Sequence, residues 1–461
     1  MAFSSISFLF YFLPLFFIIY YLIPARAKNV VLLAWSLFFY AWGEPRWILL
    51  LLASILVTWL LGRAMRPEAS AGRRGLLILG LVFQLGLLIA VKYAGFFFGA
   101  FIDLPKLHLP LGVSFYTFHA ISYLVDVYRQ KTPPQKNLLR LGLYLALFPK
   151  LVMGPIVPYH ELEPALAQRT IDAQDVSDGC FRFTIGLAKK ALLADALAGL
   201  VTGIWGDLAS LTVLSAWLGL IGYALQLYFD FSGYSDMAIG LGRMLGFRFP
   251  ENFRYPYLCS SISDFWRRWH ISLGSWFKEY LYFPLGGSRT GTLRTLRNLL
   301  LVWLATGLWH GASWNYVLWG LYFGVLICLE KLLAPRFWAH PRKGLLAGLY
   351  RPVCLLLAVL GWVLFRAEDL PAAGRYFACL FGGAAGASAQ ARLYLHDFWP
   401  VLLLGAVGAT PLCAKLAGRL GAKLQPGVRA AVQAVLVLAL LACSTVWLLN
   451  GSFQSFVYFQ F

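Results

Sequence analysis

Gly75-Leu-Leu-Ile-Leu-Gly-Leu-Val-Phe-Gln-Leu-Gly-Leu-Leu-Ile-Ala-Val91 follows directly on Arg73-Arg74 and carries no charged side chain. Its 17 residues meet the lower limit for a helix that crosses a hydrocarbon core of ~30 Å. Comparable runs recur along the chain with Gly, Pro or basic residues between them. Of 461 residues, 60% are hydrophobic, 13% charged and 16% aromatic, a balance that excludes a soluble globule. The expectation is an all-α polytopic membrane protein.

A net charge of +19 could suggest nucleic acid. The Lys and Arg residues instead punctuate the apolar runs, which is the positive-inside pattern, and nucleic acid is not expected as a partner. Basic clusters at residues 26–28, 63–74, 129–140, 182–190, 243–297, 331–351 and 415–429 are assigned to the cytoplasm. The turns 103–110 and 382–397 are assigned to the outside. About twelve crossings (range about 11–13) are expected, centred near residues 16, 36, 55, 87, 119, 197, 226, 302, 322, 359, 405 and 439. Residues 138–158 read as a re-entrant hairpin. An even number of crossings places both termini outside. Ala25-Arg26-Ala27 mimics a cleavage site, but the basic residues follow the first apolar run, so that run is expected to stay as an anchor helix.

The seven cysteines are scattered without a C-x-x-C pair and support neither a disulfide framework nor a zinc site. The longest polar stretches, 161–178 and 335–351, are too short for a soluble domain, and no internal repeat is visible. A single membrane-embedded domain is therefore expected, with N-terminal helices over 1–110, a core over 111–333 and C-terminal helices over 334–461.

Ionisable side chains at membrane depth are costly and are candidate functional groups. Tyr223-Ala-Leu-Gln-Leu-Tyr-Phe-Asp230-Phe-Ser-Gly-Tyr234-Ser-Asp236 sets carboxylates, serines and glycine in an apolar run, and is read as an interrupted segment lining a cavity. Phe249-Pro-Glu-Asn-Phe-Arg-Tyr-Pro-Tyr257 precludes a regular span. In Ser263-Asp-Phe-Trp266-Arg267-Arg268-Trp269-His270-Ile-Ser272, a helix capped by Ser263 or Asp264 would put Trp266, Trp269 and His270 on one face. An interfacial helix with an aromatic belt and snorkelling arginines is the plain alternative. Gly307-Leu-Trp309-His310-Gly311 ends another run, and Gly311 is expected to let a backbone or substrate approach the histidine. Trp309, Trp314 and Trp319 are expected to wall it, and Thr306, Ser313 and Asn315 to hold its tautomer. An imidazole so placed suits a general base acting on a hydroxyl.

Ser275-Trp-Phe-Lys278 fits S-x-x-K, but its companion motifs are absent, as are G-x-S-x-G and H-E-x-x-H. The histidines are too dispersed for a metal site, and Asp230 and Asp236 do not share a helical face.

Gln226-Leu-Tyr-Phe-Asp-Phe-Ser-Gly-Tyr-Ser-Asp-Met-Ala-Ile-Gly, Phe265-Trp-Arg-Arg-Trp-His-Ile-Ser-Leu, Tyr282-Phe-Pro-Leu-Gly-Gly and Gly307-Leu-Trp-His-Gly closely resemble membrane-bound O-acyltransferases, and within them the alginate O-acetyltransferase branch. Phe3-Ser-Ser, Gly112-Val-Ser-Phe-Tyr-Thr-Phe, Met153-Gly-Pro-Ile-Val and Tyr458-Phe-Gln-Phe extend the resemblance over nearly the whole chain. It implies tilted helices around a central tunnel, with re-entrant or interfacial helices, in a bacterial inner membrane. It implies His310 as the catalytic residue and His270 as a positioning residue on the opposite chamber wall. Trp266, Trp269, Trp309, Asn315, Asp230 and Tyr234 are expected near the substrate. Arg267, Arg268, Lys278 and Arg289 are candidates for phosphate or carrier contacts, or else ordinary positive-inside residues. Pro158 stands where relatives commonly show Arg, which puts a partner contact in doubt. No permanently bound cofactor is implied; acetyl-CoA or another acyl thioester is the donor substrate, with an acyl carrier protein as the alternative. Besides membrane lipid, the implied partner is an extracytoplasmic acetyltransferase that modifies a polysaccharide. D-alanyl transfer toward teichoic acid, or a transporter with broken helices, remain alternatives.

Overall fold

A computed structural model describes residues 2–65, 70–99, 109–289, 291–337, 345–451 and 456. Residues 103–108 of the first expected external turn and the motif at 458–461 lie outside them. Among the described residues the elements are helices, with no strand. Every centre of the about twelve expected crossings falls within a helical segment. Among the described residues five helices are long and apolar enough to cross a membrane, or six if a pair bent by 66° counts as one span.

Contacts divide the chain into two units that interleave along the sequence. The first comprises residues 1–187, 234–251 and 448–459. It contains α1 (Leu13–Leu22), α2 (Lys28–Gly43), α3 (Ile48–Ala64), α4 (Ser70–Leu88), α5 (Ala94–Phe98), α6 (Val113–Tyr128), α7 (Leu138–Ala146), α8 (Phe148–Leu151), α9 (Tyr159–Ala167) and α10 (Ala173–Ala188). The second comprises residues 188–233 and 252–447. It contains α11 (Asp195–Trp205), the first two thirds of α12 (Val213–Met244), α13 (Ile262–Trp266), α14 (Ile271–Phe277), α15 (Thr292–His310), α16 (Trp314–Phe337), α17 (Leu345–Arg366), α18 (Leu370–Leu380), α19 (Ala389–Gly408), α20 (Leu412–Gly421) and most of α21 (Pro426–Asn450).

In the first unit α6 is the buried centre, packed by α3, α4, α7 and α9. Gly112 precedes it with φ +75°, and a Cβ there would lie 2.6 Å from the Leu151 carbonyl oxygen, so only glycine admits this close approach. The expected hairpin appears as α7, a break at Leu147, α8 and an extended buried stretch to residue 157. Non-helical backbone is tolerated in such a place because protein groups satisfy it. Tyr144 donates to the Val157 carbonyl at 2.9 Å, and the Val157 N–H reaches His119 Nε2 at 3.4 Å. At the polar end, Arg182 bonds Asp236 and Glu251, while Arg243 and Arg248 hold Asp175.

The expected interruption of the 223–236 segment does not occur: α12 is continuous over 32 residues. Its polar groups meet partners from the surrounding protein. Lys190 reaches Asp230 at 2.7 Å and Asp195 at 2.8 Å within the second unit, and Arg182 reaches Asp236 at 2.8 Å within the first. Paired in this way, buried charge does not require broken backbone. The apolar window of α12 is 78% buried, against 6% for α21, so α12 is an interior helix and α21 leaves its apolar surface exposed.

In the second unit α15 and α16 meet backbone to backbone. A Cβ at Gly320 would collide with the Trp303 carbonyl, and one at Gly307 with that of Tyr316. Gly324 lies against Trp303 one turn later, so Gly320-Leu-Tyr-Phe-Gly324 acts as a small-x-x-x-small stripe. Without it the α15 segment ending at His310 would sit farther from α16.

Candidate active site

The expected single helix through Trp266, Trp269 and His270 is not formed. Helix α13 starts after Ser261, whose hydroxyl accepts from the Asp264 N–H at 2.9 Å, and stops at Trp266. His270 sits outside it with φ +46°, as the residue before α14. That left-handed backbone costs a non-glycine residue roughly 1–3 kcal/mol and persists only where the surroundings fix it. Here the Asn252 segment does so. The Ile271 N–H donates to the Asn252 carbonyl at 3.0 Å, and the Arg254 N–H donates to the Arg268 carbonyl at 2.9 Å. Tertiary bonds thereby outcompete the helical ones. Trp266, Trp269 and His270 nevertheless converge, because all three line one cavity of about 260 Å³ with Leu273, Lys278, Trp303 and Thr306.

Asn252 also sets the imidazole. Its side-chain oxygen accepts from the Ser272 N–H at 3.1 Å and from the Ser272 hydroxyl at 3.0 Å. A backbone N–H can only donate, so this network fixes which amide atom is oxygen. The same oxygen lies 3.2 Å from His270 Nδ1. In the neutral ring Nδ1 is therefore the protonated nitrogen and Nε2 the basic one.

Helix α13 is held from a distance. Glu330 of α16 accepts from the Ser263 N–H at 2.9 Å, the Ser263 hydroxyl at 2.7 Å and the Tyr350 hydroxyl at 2.6 Å, and it also takes the Ile262 N–H. A carboxylate satisfying the first amides of a helix is favourable both as a cap and toward the dipole.

His310 is buried at the end of α15 and is flanked by aromatic rings: Trp309 at 5.0 Å, Trp319 at 4.9 Å and Phe365 at 5.2 Å between centroids. The Trp309 ring also lies 6.0 Å from that of His270. One indole thus touches both imidazoles, although His310 does not line the 260 Å³ cavity. Trp314 is exposed and forms no part of the wall. At Gly311 it is the Tyr316 ring, not a backbone, onto which a Cβ would fall. Thr306 donates to the Val302 carbonyl and Asn315 to that of Ala367. Asn315 therefore ties the start of α16 to the end of α17.

Of the other expected residues, Asp230 is in the Lys190 ion cluster. Tyr234 belongs to the first unit and stacks on Phe3 at 4.7 Å. Arg267 is exposed, with its Nε on the Ser263 carbonyl, and Arg268 pairs with Asp264 at 3.0 Å. Both fit the snorkelling arrangement. Arg289 is exposed, and Lys278 lines the cavity. Asn252, Glu330, Trp303 and Phe365 were not expected. Glu330 had a visible signal, a lone carboxylate in the apolar run of α16.

The family described as MBOAT, membrane-bound O-acyltransferase, matches residues 129–343, which include both histidines. Over 397 residues the chain is 44% identical to the Probable alginate O-acetylase AlgI of Azotobacter vinelandii, covering 83% of this chain and 78% of the relative. It is 36% identical to the peptidoglycan O-acetyltransferase of Helicobacter pylori, covering 81% and 78%. The teichoic acid D-alanyltransferase of Bacillus subtilis is 29% identical, covering 58% and 71%. With two imidazoles around one buried indole and identity at this level over most of its length, the chain belongs to the membrane-bound O-acyltransferase family and is a multi-pass O-acyltransferase.

Proposed function

We propose that this protein passes an acetyl group from a cytoplasmic thioester, acetyl-CoA, to a hydroxyl acceptor across the bacterial inner membrane. The final product is an O-acetylated exopolysaccharide such as alginate, reached through an extracytoplasmic acetyltransferase partner. The observation that carries this reading is Trp309 between His270 and His310, in a chain similar to proteins named for alginate and peptidoglycan O-acetylation.

In this mechanism His310 takes the proton of the acceptor hydroxyl as its oxygen attacks the thioester carbonyl. The C–S bond then breaks, and the thiolate leaves with that proton. His270, with Nδ1 held by Asn252, presents Nε2 as an acceptor. It fits orienting the hydroxyl, and can donate to an oxyanion only as imidazolium. The indole N–H of Trp266, buried with no acceptor among the described residues, is the better candidate for oxyanion stabilisation, because Trp266 lines the His270 cavity.

The test is transfer of radiolabelled acetyl from acetyl-CoA by purified protein in lipid, wild type against His310→Ala, with a serine-bearing extracytoplasmic partner as acceptor. Transfer that depends on His310 is expected. Wild-type turnover in a correctly inserted His310→Ala variant would refute the role. Transfer only from a D-alanyl carrier protein would favour the second reading, which the B. subtilis relative supports.

A further inference from the structure

The second unit contains another cavity, of about 460 Å³, that shares no residue with the His270 cavity. Its walls include Ile221 and Leu225 of α12, Leu355 and Leu356 of α17, and Ala406 and Ala409 of α19. Three of its lining residues, Trp217, Tyr257 and Thr410, have polar side-chain hydrogens, and all are committed within the protein. Trp217 donates to the Leu380 carbonyl at 3.0 Å, Tyr257 to that of Ala224 at 2.6 Å, and Thr410 to that of Val407 at 2.7 Å. A polar ligand would find no partner there, whereas an alkyl chain would lose nothing by entering. Ile221, Leu355 and Leu356 are exposed, so the cleft opens outward from helices long enough to span a membrane.

One end of the cleft is marked by charge. Pro352 lines it and follows the exposed Arg351, while Thr410 lines it just before the chain bends by 66° into α20. No residue of α20 is buried. Leu412, Leu416 and Leu420 form one stripe at four-residue spacing, and Lys415 and Arg419 form the next. An exposed helix of this kind lies in a membrane interface, with its basic side chains toward anionic headgroups.

We propose that the cleft is a binding site for an anionic membrane phospholipid, with one acyl chain between α12, α17 and α19 and its phosphate held by Lys415, Arg419 and Arg351. By the positive-inside rule this is a lipid of the cytoplasmic leaflet.

The experiment is native mass spectrometry and phospholipid counting on the full-length protein, purified and exchanged into phosphatidylglycerol or phosphatidylcholine. Wild type is expected to retain about one phosphatidylglycerol per chain, in preference to phosphatidylcholine. Ala406→Trp, which fills the cleft from an exposed position, should abolish retention of either lipid. Lys415→Gln with Arg419→Gln, both exposed on α20, should weaken phosphatidylglycerol by roughly tenfold or more and leave phosphatidylcholine unchanged. Equal binding of the two lipids by wild type, or retention unaltered in both variants, would overturn the proposal. A protein segment cross-linking in the cleft in place of lipid would do the same.

Discussion

Asn252→Ala should damage the site more than any change of similar size elsewhere. The residue is fully buried, and its side-chain oxygen serves three donors: His270 Nδ1 at 3.2 Å, the Ser272 N–H at 3.1 Å and the Ser272 hydroxyl at 3.0 Å. Leaving a buried donor unsatisfied costs about 1–3 kcal/mol. The hydroxyl can rotate to another acceptor, so two donors count, and a loss of about 2–6 kcal/mol follows. The backbone bonds that hold His270 at φ +46° survive the change, but Nδ1 loses its anchor, and the imidazole swings away from its place beside Trp309. A misplacement of about 1 Å is worth roughly 100-fold in rate. The expected result is a lowered thermal midpoint in detergent, with kcat for acyl transfer down about 100-fold and donor KM little changed. Asn252→Asp keeps the acceptors and should recover the midpoint but not the activity, because a carboxylate favours the imidazolium, which has no basic Nε2. Wild-type kcat in a stably folded Asn252→Ala variant would refute this account of how His270 is held.

Glu330→Gln should lower kcat and the thermal midpoint by removing one of two accepting oxygens, at a cost of about 1–3 kcal/mol. Tyr350→Phe, which removes one of the same bonds, should do less, and the reverse order in midpoint measurements would show that α13 is not held through Glu330. Gly320→Ala drives a Cβ into the Trp303 carbonyl, so α15 and α16 must separate at a cost of about 1–3 kcal/mol; acyl transfer should fall with stability, and a neutral result would mean the helices can slide apart freely. The hydrogen bond from Arg248, with that from Arg243, holds the Asp175 carboxyl below its ordinary range. Its contribution is therefore present above the unfolded carboxylate pKa of about 3.9 and is lost as pH falls through the folded value. Asp175→Asn should flatten the stability profile below about pH 4, and an unchanged profile would contradict the pairing. For topology, cysteines placed at residues 105 and 340, both outside the described residues, should label from the outside and the cytoplasm respectively. Native Cys413, exposed on α20, should label from the cytoplasm; the reverse pattern would invert the topology.

Periodicity and charge placement made the helical membrane class readable, because both depend on near neighbours in the chain. They also picked out His270, Trp266 and Trp269 as neighbours, but for a reason that fails. No helical face joins them; Asn252, eighteen positions away, bends the chain so that they meet. The same limit explains α12. Its carboxylates argued for broken backbone only while Lys190 and Arg182, which satisfy them, could not be placed in space. The small-residue stripe at Gly320 and Gly324 was local and could have been read.

Costly ionisable groups at membrane depth therefore need a second criterion before they are counted as chemical. Asp230 and Asp236 each engage a carboxylate oxygen with a cation of the protein, and Glu330 engages both of its oxygens with donors. Their bonds and any chemistry would compete for the same atoms. His270 is different in kind, since the bond that fixes it uses Nδ1 and thereby defines Nε2 as the basic atom. An imidazole can be anchored and reactive at once, whereas a fully bonded carboxylate is only anchored. On that ground His270 separates from the intramembrane acids, and it is the histidine motifs, through His310→Ala and Asn252→Ala, at which the proposed acid/base chemistry is to be tested.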